Sequence, residues 1–336
     1  MASDDEDDSG LMKLIKRVRS LINRAFRRHP RLIRVMVTFG LYRLFVRATK
    51  RYELGSSYAP KWVSHIVGVC LTAAVGAFGV VRGTPDKLMI PIDKTRQYMI
   101  VWHPHGAFAT IPAAICSWPG AVGWFPVRFH ACIADVLFNI PFVREILMIM
   151  GAKRVNRENV RFLLHEGHSI GIQPGGIYEQ LRTDPMQEVA YFPPNLGFIR
   201  QAIEAGTPLL PAYLFGENQI FDISDTSRSV AQLVHKWTGV PILFVRGSFG
   251  IPLIPRKTDI HIRIGRPVEV GEKNPSPTDE RVRKVFENYK IALLELFDGC
   301  KDECLPPEIA KRGLKIIMRD PKGKKIKGAK PRKASL

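Results

Sequence analysis

Short apolar segments alternate with helical patterns along the chain from residue 95 to residue 310. Apolar stretches typical of buried strands occur at 98–102, 169–173, 208–213 and 260–264. Apolar residues at helical spacing occur at 157–166, 197–205 and 278–298. This alternation predicts an α/β domain over 95–310.

Two apolar patterns that precede this domain indicate contact with a membrane. Residues 11–26 place apolar side chains at helical spacing, and every charged residue between them is Lys or Arg. A purely cationic amphipathic helix is typical of a helix on anionic lipid, although a surface helix packed on its own core is the alternative. Residues 62–81 carry no formal charge over twenty positions, a length that matches the hydrocarbon core of a bilayer.

We therefore expect a membrane-embedded segment at 62–82, with a buried core helix as the alternative. A single crossing would place two basic arms on opposite sides of the membrane, which conflicts with the excess of Lys and Arg expected on the cytosolic side. One possibility is that the segment is a re-entrant hairpin that bends at Gly76 and Gly79. The other is that the second arm lies too far from the span for its charges to influence the orientation of the span.

The charge of the chain is concentrated in its terminal arms. Residues 1–10 hold five acids and no base, and we expect this acidic head to be disordered. Residues 11–51 hold thirteen bases and no acid, which suits a membrane-surface region, and the tail at 311–336 holds eleven bases and one acid. Residues 52–310 hold 26 bases against 25 acids, so the composition disfavours a uniformly basic nucleic-acid-binding domain.

The five cysteines form no metal-binding or disulfide pattern. They lie at positions 70, 116, 132, 300 and 304, and no two of them form a CxxC pair. This usage fits thiols kept reduced inside the cell, and we expect no metal site.

Two histidines follow the first strand of the predicted domain. His103 and His105 flank Pro104 in the sequence HPHG, directly after the strand at 98–102. The carboxyl end of a strand is a usual position for a site in an α/β sheet, and imidazole accepts a hydroxyl proton near neutral pH. Taken alone, HPHG is also compatible with two hydrogen-bonded structural histidines.

A GxSxG pattern at 167–171 has the elements around it in the wrong order for a serine hydrolase. The nucleophile elbow of those enzymes requires a strand before the serine and a helix after it. Here the helical pattern precedes the serine and the strand follows it. We interpret the pattern as a coincidental turn.

The strand at 169–173 leads into PGGIYE (174–179). Gly175 and Gly176 would let the backbone approach a ligand, and the Glu179 carboxylate would orient a histidine or stabilise its charge. An ordinary glycine turn followed by a solvated glutamate is the alternative.

Seven ordered motifs resemble the type-two diacylglycerol acyltransferase family, which includes the monoacylglycerol and wax-alcohol acyltransferases. They are HPHG (103–106), VNRENVRFLL (155–164), PGGIYE (174–179), GFIRQAIEAGTPLLPAYLFGEN (197–218), RGSFGIPLIPRK (246–257), GRPVEV (265–270) and YKIALLELFD (289–298). The resemblance covers residues 98–310, and seven motifs in order are far more specific than one. It implies a glycerolipid-acyltransferase-like mixed sheet flanked by helices.

The resemblance implies a membrane-bound enzyme that moves an acyl chain from acyl-coenzyme A to diacylglycerol and so forms triacylglycerol. Monoacylglycerol or a long-chain alcohol is the alternative acceptor, and an inactive lipid-binding relative is the alternative from another class. Acyl-coenzyme A is then a co-substrate, and no cofactor is expected. We expect the endoplasmic reticulum membrane as its location, with the lipid-droplet surface as a second one. Expected partners are lipids with anionic headgroups at the basic arms, not nucleic acid, and a homo-oligomer is left open.

The same resemblance suggests roles for individual residues. His105 would be the general base, with His103 beside it and no acyl-enzyme. The wider glycerolipid acyltransferase superfamily carries an Asp five positions after its histidine, where this chain has no acid, so Glu179 is the first choice for the acid and Asp135 the second. Arg157 is the expected cation for the coenzyme A phosphates. The expected substrate-site residues are Pro104, Gly106, Arg157, Gly175, Gly176, Gly197, Phe198 and Glu217.

Two features depart from the family pattern. Asn195 stands where many relatives have Arg, and the first third of the chain lacks the aromatic-rich membrane hairpin that usually precedes HPHG. Membrane topology and acceptor preference therefore cannot be carried over from the family.

Overall fold

The structure is a computed structural model that describes most of the chain after residue 92. The described residues are 40–42, 44–45, 47–49, 63, 66, 70, 81–82, 92–107, 127–238, 243–251 and 254–319. The chain divides into two compact units, Met1–Arg51 and Tyr52–Leu336. In the first unit, the described residues up to position 48 are helical. The second unit contains the domain that holds the candidate site.

The strands of the second unit are short and mostly buried. They are β1 (Val81–Arg82), β2 (Met99–His103), β3 (His130–Ile133), β4 (Lys153–Arg154), β5 (Ile170–Ile172), β6 (Glu188–Phe192), β7 (Leu209–Phe215), β8 (Asp222–Ile223), β9 (Val245–Arg246), β10 (Ile260–Ile264) and β11 (Leu314–Met318).

Seven of these strands form one mixed sheet in the order β1-β10-β7-β2-β5-β3-β4. Strand β2 lies at its centre and is parallel to both β5 and β7, while β10 is antiparallel to β7. The remaining strands form two pairs, β6 parallel to β11 and β8 antiparallel to β9. Because β2, β5 and β7 are parallel, their carboxyl ends lie at one edge of the sheet, where sites form in α/β proteins.

Helices connect the strands. They are α1 (Val143–Ile149), α2 (Arg157–His165), α3 (Gly176–Gln180), α4 (Gly197–Ala205), α5 (Asp225–Thr238), α6 (Asp279–Cys304) and α7 (Pro307–Ala310), with 3-10 turns at Asp135–Asn139, Glu217–Gln219 and Ser248–Gly250. Polar caps define where two of them begin. The Asn156 side chain accepts a hydrogen bond from the backbone of Asn159, and Thr278 does the same for Arg281.

The sheet is covered by apolar side chains on both faces. Met99 and Val101 of β2 pack with residues of α2, α4 and α6, whereas Ile100 and Trp102 pack into a second core that includes α5. Alternate residues of a strand point to opposite faces, so His103 lies on the same face as Met99 and Val101. The histidine that ends β2 is therefore placed against the core formed by α2, α4 and α6.

The predicted alternation of strands and helices is confirmed. The four predicted strands correspond to β2, β5, β7 and β10, and the antiparallel β10 makes the sheet mixed, as expected. Helices α2 and α4 begin where the pattern placed them, while α6 extends six residues beyond the predicted 278–298. Its continuation buries Cys300 and Cys304, whose thiols pack as apolar groups.

Most of the sequence outside the acyltransferase-like domain lies outside the described residues. This applies to the acidic head at 1–10, to nearly all of the basic region at 11–51 and to the tail beyond residue 319. Within the predicted membrane segment at 62–82, three isolated helical positions are described, and its last two residues form β1. Among the helices of the described residues, none combines the length and the apolar character needed to cross a membrane.

Candidate active site

Strand β2 delivers two histidines to the carboxyl edge of the sheet. His103 is the last residue of β2, is fully buried and pairs in register with Tyr213 of β7. A cis peptide bond joins His103 to Pro104, and the partly buried His105 follows in the loop. We refer to residues 103–107 as the histidine loop.

The carboxylate of Glu179 holds the histidine loop from the side of α3. Its Oε1 atom accepts a hydrogen bond from the backbone N–H of His105 at 2.6 Å, and its Oε2 atom accepts one from the backbone of Tyr191 at 2.9 Å. The Oε2 atom also lies 3.6 Å from Nδ1 of His103. A single buried carboxylate thus joins both histidines to β6, which brings together the three residues expected to be catalytic.

The glycines of the two motifs are required by this close packing. A Cβ atom on Gly175 would lie 2.1 Å from Oε2 of Glu179, and one on Gly106 would lie 2.7 Å from Cγ of Glu217. Gly106 also has a φ of +66°, and Gly176 has a φ of +49°, a region that glycine adopts without steric cost. The glycine motifs therefore let two carboxylates approach the backbone around His105.

Two glutamines complete the support of the histidine loop. The Nε2 atom of Gln173, which follows β5, donates to the Pro104 carbonyl at 3.2 Å, and the Nε2 atom of Gln180 donates to the Ala107 carbonyl at 2.8 Å. With the bond from His105 to Glu179, the backbone of the loop is held from three directions. Such support fixes the position of a reactive side chain before a substrate binds.

The environment of His105 favours a neutral imidazole. Burial lowers the pKa of His105 below 6.5, and the nearby Glu179 carboxylate opposes part of this shift. The Nδ1 atom lies 3.3 Å from the Gly106 carbonyl oxygen, which is only an acceptor, so Nδ1 carries the proton in this contact. The lone pair is then on Nε2, where it can accept a proton at neutral pH.

A second buried carboxylate, Glu188, was not among the expected site residues. It accepts hydrogen bonds from the Tyr213 hydroxyl and from the side chain of Asn218, both at 2.7 Å, and from Gln219 at 2.9 Å. Burial raises the pKa of Glu188, and the charge of Glu179 raises it further. Tyr213 pairs with His103 across the sheet, so this network lies directly behind the site.

An aromatic wall lines the core side of His103. The ring of Phe192 meets the imidazole edge-on with centroids 5.0 Å apart, and Phe198 stacks on Phe192 at 6.2 Å. Within the described residues, neither ring nitrogen of His103 has a hydrogen-bond partner. Phe198, expected to line the substrate site together with Gly197, thus reaches His103 through Phe192, and Gly197 begins the helix that carries it.

Some expected residues lie away from the histidines. Arg157 is exposed at the start of α2 and pairs with Glu204 at 3.2 Å. The exposed Asp135 contacts the Asn156 side chain at 3.3 Å. Ser169 accepts a hydrogen bond from the backbone of Tyr98, with α2 before it and β5 after it, which confirms that GxSxG is not a nucleophile elbow here.

No metal centre is evident among the described side chains. No three His, Cys, Asp or Glu residues in that part of the chain are grouped so that they could hold a metal ion. The chemistry that the residues themselves offer is proton transfer at Nε2 of His105, beside a buried carboxylate.

Comparison with known proteins identifies a family and its relatives. The profile of the family described as diacylglycerol acyltransferase matches residues 85–310. Diacylglycerol O-acyltransferase 1 of Eremothecium gossypii is 30% identical over 61% of this chain and 47% of its own length. The 2-acylglycerol O-acyltransferase 3 of Homo sapiens is 30% identical over 63% of this chain and 67% of its own length. The chain therefore spans between about half and two thirds of these relatives.

One solved structure is similar over most of the chain. The 1-acyl-sn-glycerophosphate (LPA) acyltransferase PlsC from Thermotoga maritima is 20% identical, with a TM-score of 0.43. The similarity covers 77% of this chain and 96% of that one.

Proposed function

The chain belongs to the diacylglycerol acyltransferase family, and from this premise we propose that it transfers an acyl chain from acyl-coenzyme A to diacylglycerol, forming triacylglycerol. The observation that carries the proposal is the partly buried imidazole of His105, held at the sheet edge by Glu179 within the matched region. A hydroxyl acceptor needs a base of this kind, and no acyl-enzyme is required.

In the proposed reaction, Nε2 of His105 takes the proton of the acceptor hydroxyl as its oxygen attacks the thioester carbonyl carbon. The new C–O ester bond forms, and the C–S bond to coenzyme A breaks through a tetrahedral intermediate. The imidazolium then gives its proton to the departing thiolate, which leaves as the thiol. Atoms and charge balance within one cycle, and His105 returns to its neutral form.

Glu179 supports this cycle without touching the reacting atoms. Its hydrogen bond to the His105 backbone fixes the imidazole, and its negative charge stabilises the imidazolium formed during the reaction. His103 lies against the same carboxylate and is proposed to hold it in place. Glu217, packed against Gly106, and Gly175, packed against Glu179, are proposed to shape the substrate site.

We further propose that the protein acts at the endoplasmic reticulum membrane and at lipid droplets, where its neutral-lipid acceptor is dissolved. The uncharged segment at 62–81 and the basic arms at 11–51 and 311–336 support this location. Acyl-coenzyme A, diacylglycerol and anionic membrane lipids are the proposed partners.

A second acceptor class has specific support. The human relative at 30% identity is named for 2-acylglycerol, so monoacylglycerol is the second candidate acceptor for this chain. Long-chain alcohols share the same hydroxyl chemistry. An inactive lipid-binding protein would need neither the neutral imidazole nor the buried carboxylate that supports it.

The test is the incorporation of labelled acyl-coenzyme A by microsomes that contain the full chain. Diacylglycerol, monoacylglycerol and a long-chain alcohol are offered separately to wild type, to His105→Ala and to His165→Ala, whose histidine is exposed on α2. We expect triacylglycerol from wild type and from His165→Ala, and a loss of about 10²–10⁴-fold in His105→Ala. Equal activity of His105→Ala and wild type would refute the role of His105 as general base. The absence of product with every acceptor would refute the proposed acyltransferase activity.

A further inference from the structure

Helix α5 carries an apolar stripe on its exposed side. Val230, Leu233 and Trp237 recur at three- and four-residue spacing, so they lie on one face of the helix. Leu233 is 60% exposed and Trp237 is 82% exposed, whereas Ser227 and Ala231 on an adjacent side of the helix are buried. The helix thus packs on the domain through its small residues and presents its large apolar ones to the outside.

A loop that begins beside α5 adds further exposed apolar side chains. The Ser227 hydroxyl forms hydrogen bonds with both the backbone N–H and the carbonyl of Phe244, which fixes the start of the loop against the first turn of α5. Phe249 is 97% exposed and has a φ of +57°, a conformation that non-glycine residues rarely adopt. Two isoleucines further along the same loop are also exposed: Ile251 and Ile254.

Basic side chains outnumber acidic ones around these apolar side chains. Residues 222–259 contain five bases and three acids, Asp222, Asp225 and Asp259. Arg228 and Arg256 form ion pairs with aspartates, while Lys236, Arg246 and Lys257 are exposed and form no ion pair within the described chain. Free cations therefore stand beside exposed aromatic rings.

We propose that the exposed side of α5 and the loop residues 244–251 and 254, together the α5 surface, bind an anionic lipid bilayer. Aromatic rings and aliphatic side chains enter the headgroup region of a membrane, while Lys and Arg contact anionic headgroups, each contributing about a fivefold gain in binding. The three exposed bases without an ion pair and the protruding Phe249 suit a bilayer better than a protein partner. The proposal adds a membrane contact within the catalytic domain, independent of the basic arms and of the segment at 62–82.

The test must report on this surface alone, because other parts of the full chain are expected to bind lipid. An environment-sensitive NBD label is placed at Leu233→Cys or Phe249→Cys in the full chain with Cys70→Ser and Cys116→Ser, which leaves the buried cysteines unchanged. The matched control carries the label at Ile291→Cys, an apolar residue of α6 that is half exposed. Vesicles contain phosphatidylcholine with phosphatidylserine, with or without a doxyl-labelled lipid.

We expect a blue shift and quenching by the doxyl lipid at positions 233 and 249 but not at 291. Replacing Lys236, Arg246 and Lys257 together by Gln should reduce this quenching about tenfold or more in phosphatidylserine vesicles. Equal signals at the three label positions would refute the proposal. A blue shift that needs no vesicles and rises with protein concentration would also refute it, because it would identify the surface as a contact between two copies.

Discussion

The histidine loop and the α5 surface both depart from the usual arrangement of a folded protein, in which polar groups are exposed and apolar groups are buried. Around the histidine loop, charged and polar groups are buried: Glu179 and Glu188 are almost fully enclosed and accept five hydrogen bonds between them. On the α5 surface, aromatic and aliphatic groups are exposed. Buried polar groups need hydrogen bonds to compensate for their lost hydration, whereas exposed apolar groups gain compensation only when a partner covers them.

The two regions differ in where that compensation comes from. The carboxylates of the site are satisfied by the folded chain itself, through backbone N–H groups and the side chains of Tyr213, Asn218 and Gln219. The exposed rings of the α5 surface find no such partner in the described chain. Substitutions in the first region should therefore alter stability and chemistry, whereas those in the second should alter only what the protein binds.

The largest effect on stability is expected from Glu179→Ala. This change leaves the backbone N–H groups of His105 and Tyr191 buried without acceptors, at about 1–3 kcal/mol each, or about 2–6 kcal/mol in total. Urea unfolding of the purified full chain measures the loss, with Glu166→Ala on the surface as the control. A decrease of less than 1 kcal/mol in the free energy of unfolding would show that Glu179 does not stabilise the histidine loop.

A smaller effect is expected in the pH dependence of acyl transfer. Because burial holds the pKa of His105 below 6.5, the rate should stay constant through neutral pH and fall only as the pH drops through that lowered value. Glu179→Gln removes the charge that favours the imidazolium, so the pKa of His105 falls further and the acid limb moves to lower pH. An acid limb that moves to higher pH would contradict this electrostatic role.

The smallest effect is expected on the α5 surface. Leu233→Ser and Trp237→Ser remove side chains that are already exposed, so the free energy of unfolding should change by no more than about 0.5 kcal/mol. Urea unfolding in the absence of lipid measures it, and Leu293→Ser in the core of α6 is the destabilised reference. A large loss of stability in the two surface variants would contradict the expectation that substitutions on the α5 surface leave the stability of the fold unchanged.

The fold was largely predictable because apolar residues recur at regular spacing in most of its strands and helices. The apolar segments of β2, β5, β7 and β10 and the helical spacing in α2 and α4 depend on local sequence alone. The strand order was not predictable, since it depends on contacts between distant segments. The end of α6 was placed too early because the pattern weakens where charged residues surround Cys300 and Cys304.

The site was predictable only where motifs marked it. HPHG and the Gly-Gly-x-x-Glu spacing led to His103, His105 and Glu179, which the structure brings together. Glu188 was missed because a single glutamate before an apolar strand resembles an ordinary strand start, and its partners lie 25 or more residues away. Arg157 also belongs to a matched motif, but it is exposed and pairs with Glu204. A motif match therefore does not by itself place a side chain near the histidines.

The link between Glu179 and Tyr191 also bears on the order in which the site is completed during synthesis of the chain. Tyr191 belongs to β6, whose partner strand is β11, and Ile317 pairs with Tyr191 itself. A nascent chain already contains both histidines and Glu179 long before residues 314–318 leave the ribosome. Until then β6 lacks its partner strand, so the Tyr191 N–H that donates to Glu179 is not yet held in place. We therefore expect the histidine loop to reach its supported form only after almost the whole domain has been made.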